Sequence, residues 1–289
     1  MNKSDEIKRI AGYGKLYLAR FLKCDERDKK DIRTNWYRAL LFFFGYSFAR
    51  GRSGSLSDKF RFAALKALRE FGPRLKPGFN KRELEKYLEH RGVTNPGDCR
   101  MVAETLKFAL EDKELKRLGN NIVEFAITNI EDGNIRVAHK RLDKIFEIGD
   151  KLACFFLRDV VLLYGLKRHL DDGDFTYCQP VDTWVNQLAA KLRLVRQPKD
   201  GKRGLNKHEL DQLKEAIFRQ CRKARVSPLL FNTGLWMAGA QPFELVIEKL
   251  RRSGSRNQVD RKALVRELRY IEKLRTSGRS EVSDSEDRG

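Results

Sequence analysis

Hydrophobic residues recur along this chain at intervals of three and four, the period of a helix, and no strand pattern stands out. Residues 3–22 set Ile7, Ile10, Leu16, Leu18 and Phe21 between charges, which predicts an amphipathic helix interrupted at Gly12 and Gly14. Asn35 to Phe48 is apolar nearly all round and predicts a buried helix, followed by a basic glycine loop that carries Arg50 and Arg52. The run LSDKFRFAALKALREFG predicts a helix capped by Ser57 or Asp58 and stopped by Gly72 and Pro73. Helices are expected over 80–91 with Asn80 as cap, over 97–117, and over 121–130. Ile135, Ala138, Leu142 and Ile145 share one face of a further helix over 135–146. Beyond a basic loop with Lys199, Lys202 and Arg203, helices are expected over 207–225, over 229–239, from Pro242 onward, and over 258–275. Residues 276–289 read as a disordered polar tail. The expectation is an all-α protein of roughly ten helices, with no clean linker dividing residues 1–275.

Charge narrows the choice of partner. The 289 residues include 60 Lys and Arg against 40 Asp and Glu, a net charge of +20. The tail holds two arginines against four acidic residues, so it is not the source of that charge. A surface this basic attracts polyanions, and nucleic acid is the usual one because neutralising its phosphates releases counterions. A hydrophobic fraction of 41% allows a real core. The five cysteines form no CxxC pair, and the four histidines show no ligand spacing, so sequence spacing points to no metal and no cofactor. An odd cysteine count, with Cys154 in an apolar run, suits reduced thiols in the cytoplasm. The N-terminal residues lack the apolar core of a signal peptide, and the apolar runs near 39–44 and 160–164 are too short to span a bilayer.

One stretch carries a pairing that looks like chemistry. A turn at Gly149 delivers Lys151 to the start of an apolar helix. A second turn, Gln179-Pro180-Val181, delivers Asp182 to the start of another. Taken alone, Asp182 reads as a helix cap worth about 1 kcal/mol, and Lys151 as a surface lysine of a first turn. Arg158 and Asp159 read equally as an internal ion pair, a solvated face or a DNA contact.

The motif LDKIFEIGDKLACFFLRDV resembles the helix–hairpin–helix of the base-excision DNA glycosylase superfamily. Ile148, Gly149, Asp150 and Lys151 fit the second half of its hairpin pattern, whose first glycine is replaced by Glu147. Val181-Asp182-Thr183 is similar to that family's downstream motif. The separation of 31 residues between Lys151 and Asp182, and the segment RKARVSPLLFNTGLWMAG, look more like the archaeal 8-oxoguanine branch than the endonuclease III branch.

The resemblance implies a two-lobed fold of interleaved helical lobes, with the hairpin near residues 135–164. It implies Lys151 as a Schiff-base nucleophile, with AP lyase activity as a consequence, and Asp182 as the essential carboxylate. The implied partner is double-stranded DNA with a modified base, bound by a monomer. The resemblance points to 8-oxoguanine as that base; a second substrate class of nearly equal weight, for which the changed motif and the basicity leave room, is a hypermodified cytosine such as glucosylated hydroxymethylcytosine removed from phage DNA as antiviral defence. Backbone at Ile148, Gly149 and Asp150 would hold a phosphate, as helix N-termini do. Arg50, Arg52, Lys199, Lys202 and Arg203 are further phosphate candidates. Phe155, Trp236 and Trp184 are expected to line the base pocket, ahead of Phe156 and Trp36, although aromatics at helical spacing are more often core. Two alternatives stay open: a non-catalytic helix–hairpin–helix DNA-binding protein, and a monofunctional glycosylase in which Asp182 activates water.

Overall fold

The structure is a computed structural model that describes residues 2–48, 54–195, 205–242, 245 and 261–276. Every regular element among them is helical. The chain divides into two compact units, one formed by Cys24–Pro180 and the other by Met1–Lys23 together with Val181–Gly289.

The second of these opens with α1 (Lys3–Phe21), which buries Ile7, Ile10, Tyr13 and Tyr17. The expected interruption of α1 at Gly12 and Gly14 does not occur. Gly14 is instead a contact point, since a Cβ there would overlap the Leu230 carbonyl.

The 24–180 unit contains α2 (Glu26–Thr34), α3 (Trp36–Ser47), α4 (Gly54–Phe71), α5 (Lys81–His90), α6 (Pro96–Glu111), α7 (Lys113–Arg117), α8 (Ile122–Glu131), α9 (Ile135–Leu142) and α10 (Gly149–Tyr164). Short 3-10 turns follow α4 and α10. α2 was not expected: among its nine residues Ile32 alone is buried, so it has no hydrophobic period to read. Asn121 holds it in place, donating to the Ile32 and Arg33 carbonyls at 2.8 and 2.9 Å while its own oxygen caps α8. The helix expected over 97–117 is two helices. Asp112 ends α6 and caps α7 by accepting from the Glu114 and Leu115 amides at 2.9 and 3.1 Å. α4 begins before the expected caps, so Ser57 and Asp58 lie inside it, where Asp58 pairs with Arg61 at 2.9 Å.

α10 packs against α3, α8 and α9. Its core contact is aromatic: Phe156 meets Phe43 edge-on at 5.0 Å, with Tyr46 at 6.0 Å. Such pairs add about 0.5–1.5 kcal/mol beyond the area they bury.

In the unit built from both chain ends, α11 (Thr183–Lys191), α12 (Lys207–Ala224), α13 (Pro228–Ala240) and α14 (Arg261–Thr276) join α1. α13 is buried along both faces, as an all-round apolar helix must be. It packs closely along α1, where Gly234 meets the Ile10 carbonyl as Gly14 meets Leu230. α14 is held by Glu267, which takes hydrogen bonds from Tyr13 and from Arg9, the latter at 2.9 Å. The helix expected from Pro242 and the polar tail fall mainly or wholly outside the described residues.

Candidate functional site

The α9–α10 hairpin is built from its hydrophobic residues outward. After Leu142, the amides of Asp143, Ile145 and Ile148 donate to the carbonyls of His139, Leu142 and Ile145 at 2.9, 3.0 and 3.0 Å. Ile145 and Ile148 are buried, and the Arg100 guanidinium lies 4.0 Å over the Phe146 ring. These anchors force the chain through two left-handed residues, Glu147 at φ +66° and Gly149 at φ +55°. Glycine accepts that geometry freely, whereas any other L-residue is strained by about 1–2 kcal/mol. Glu147 therefore occupies the first glycine position of the resembled motif in a glycine-like conformation, with its side chain exposed. Lys151 follows in the first turn of α10, half-buried.

One expected phosphate contact, the Ile148 amide, is corrected by this geometry. Ile148 commits its side chain to the core and its amide to the Ile145 carbonyl. Asp150 directs its carboxylate to His139, at 3.1 Å from Nε2. Gly149 stays exposed at the start of α10. Arg50, Arg52, Lys199, Lys202 and Arg203 lie outside the described residues.

Beneath the hairpin sits a polar cluster that sequence spacing did not reveal. Cys154 Sγ lies 3.7 Å from Asp150 Oδ1 and 3.7 Å from the Thr176 carbonyl. The Tyr177 ring covers His139 at 5.2 Å. Burial alone would lower the His139 pKa, but the Asp150 carboxylate and the Cys154 sulfur outweigh it and push it up to about 10. These residues are 11 and 4 positions apart, and the turn between them hides their proximity. One turn further on, Arg158 and Asp159 form an ion pair of 2.8 Å, both 0% exposed, which settles them as internal. Arg158 also stacks over Phe155 at 4.4 Å.

Asp182 belongs to the other unit, two residues past the boundary at Pro180. It is the N-cap of α11, accepting from the Val185 amide at 2.9 Å, and it is half-buried. Lys151 and Asp182 thus each stand at a helix entrance, as expected, on separate units.

The aromatic candidates divide in the same way. Phe155 packs against Tyr46 at 5.3 Å and is 9% exposed, so it is a core residue rather than an open stacking face. Phe156 is fully buried. Trp236 is half-buried, edge-on to Tyr17 at 5.8 Å and Phe21 at 6.3 Å. Trp184 is half-buried, backed by Gly239, with the Arg275 guanidinium 4.9 Å over its ring. Trp36 neighbours Tyr37 at 6.0 Å on α3. At the far end of α10 from Lys151, an open groove of about 900 Å³ is lined by Lys29, Lys30, Arg33, Glu124 and Tyr164 among others. None of the residues expected to act lies on it.

No protein-family profile and no solved structure matches the chain. A stretch of 72 residues, 25% of the chain, is 33% identical to an uncharacterized protein of Methanocaldococcus jannaschii, and the match spans 16% of that protein's length. Among the described residues no helix is long and apolar enough to cross a membrane.

Proposed function

We propose that the protein is a DNA N-glycosylase that excises a modified base, with Lys151 as nucleophile and Asp182 as essential carboxylate. The observation that carries this reading is the hairpin itself. Buried Ile145 and Ile148 hold Glu147 and Gly149 left-handed and set Lys151 in the first turn of α10. That is the local shape the resembled motif needs, reached although a glycine is missing from it. The net charge of +20 supplies the general attraction to DNA, which is blind to sequence.

In the proposed reaction the target nucleotide leaves the stack. The Lys151 amine forms a bond to C1′ as the glycosidic bond breaks and its electron pair leaves with the base. The Asp182 carboxylate stabilises positive charge on the sugar, as carboxylates do for oxocarbenium-like states. Loss of the amine proton and ring opening give a Schiff base, from which β-elimination cuts the strand. The substrate is 8-oxoguanine or a hypermodified phage cytosine. Mass spectrometry of bases released from both kinds of DNA decides between them. Release of a modified base by the wild-type protein, lost in Asp182→Asn, is the expected result. Tight DNA binding with no release from either substrate would leave the non-catalytic DNA-binding reading, which the cap bond of Asp182 to Val185 favours by giving that residue a structural duty.

A further inference from the structure

The cluster under the hairpin has the composition and the shape of a metal site. His139 comes from α9, while Asp150 and Cys154 lie four residues apart on α10 and so share a face. Their ligating atoms all fall within 4.8 Å of one another. His139 and Cys154 are buried, and Asp150 is partly so. With bonds of about 2.0–2.3 Å at tetrahedral angles, ligands of one zinc ion stand roughly 3.3–3.6 Å apart. The measured Nε2–Oδ1 separation of 3.1 Å and Sγ–Oδ1 separation of 3.7 Å bracket that range.

A plain ion pair does not account for the whole arrangement. His139 Nε2 is buried and lies 3.1 Å from Asp150 Oδ1, in poor geometry for a hydrogen bond. The Cys154 thiol donates to the same carboxylate, so nitrogen, oxygen and sulfur converge on one point. A mixed set of imidazole nitrogen, carboxylate oxygen and thiolate sulfur suits a borderline-soft divalent ion and does not suit calcium or magnesium, which take oxygen.

We propose that His139, Asp150 and Cys154 bind a zinc ion, which displaces the protons of the imidazole Nε2 and the thiol to solvent and ties α9 to α10 directly behind the hairpin. The Thr176 carbonyl, 3.7 Å from Cys154 Sγ, or a water completes the coordination. Cys178 is also buried but does not belong to the set, so it serves as a control. This inference stands independently of the glycosylase reading, because a hairpin clamp serves a binding protein equally well.

The test uses the full chain, loaded with zinc and then dialysed, with retained metal measured by elemental analysis. In parallel, the chain is titrated with cobalt(II), whose thiolate charge-transfer band reports a metal–sulfur bond directly. The expected results are one equivalent of retained zinc and a charge-transfer band that saturates at one cobalt. Cys154→Ser should abolish the band, His139→Gln should weaken zinc binding about tenfold or more, and Cys178→Ser should change neither. If Cys154→Ser does not fold, the wild-type cobalt spectrum still decides the matter. Wild-type protein that retains no zinc, or that shows no charge-transfer band, overturns the proposal. So does a band that survives in folded Cys154→Ser or disappears in folded Cys178→Ser.

Discussion

α10 and α13 are both buried on nearly every side, yet they are made of different material. α13 is small and apolar. Its Gly234 and Gly14 of α1 let the two helices meet backbone to backbone, and Thr233 satisfies its hydroxyl on the Leu229 carbonyl at 2.7 Å within the same helix. α10 instead buries Arg158 and Asp159, carries Cys154, and opens with Asp150 and Lys151. Close packing explains most of α13, which buries the polar Asn232 and Thr233 but no charge. It does not explain α10, because a buried ion pair is often no more stabilising than the apolar residues that could replace it. The charge placed in α10 marks the helix whose entrance carries the proposed nucleophile.

That contrast can be broken by exchanging the kinds of damage. Asp159→Asn removes the buried carboxylate charge that Arg158 Nε meets at 2.8 Å and should cost about 3–5 kcal/mol in chemical denaturation. Gly234→Ala puts a methyl group against the Ile10 carbonyl and should cost about 1–3 kcal/mol, with no sensitivity to salt. If the two variants were equally mild, the division into a charge-specified and a shape-specified helix would fail.

A smaller effect separates structure from chemistry at α11. Asp182→Ala should lose about 1 kcal/mol as its cap bond disappears, whereas Asp182→Asn, a comparable cap, should lose only a few tenths. Base release should be lost in both. Activity that followed stability across the pair would reduce Asp182 to a cap. Opposite in sign is Glu147→Gly. It relieves a left-handed glutamate and should stabilise the protein by about 0.5–1 kcal/mol after the added chain entropy of glycine is subtracted. Removing that exposed carboxylate should also tighten DNA binding at low salt. A neutral or destabilising result would mean that Glu147 makes contacts in the turn worth more than its strain.

The helices were legible wherever packing wrote a period into the sequence, as along α3, α12 and α13. In α12, Leu213, Ile217, Cys221 and Ala224 recur at helical intervals and are all buried. α2 was illegible because Ile32 is its one buried residue, and its position depends on side-chain hydrogen bonds from the distant Asn121. The break at Asp112 was hidden because apolar residues continue in register on both sides of it. At the candidate site, Lys151 and Asp182 were legible because turn residues announce helix entrances. The His139 cluster was not, since its members sit on two helices that only the folded hairpin brings together. Phe155 misled for a related reason: an aromatic one turn past Lys151 looks available in sequence, and only its packing on Tyr46 and Arg158 removes it.

Borohydride trapping tests the central claim most directly. Wild-type protein is incubated with duplexes carrying 8-oxoguanine, and separately with phage DNA carrying hypermodified cytosine, and is then reduced. A covalent protein–DNA adduct that forms on one of these substrates, maps to Lys151 and is absent in Lys151→Ala is the expected result. Base release without any adduct, undiminished in Lys151→Ala, would contradict the role of Lys151 as nucleophile.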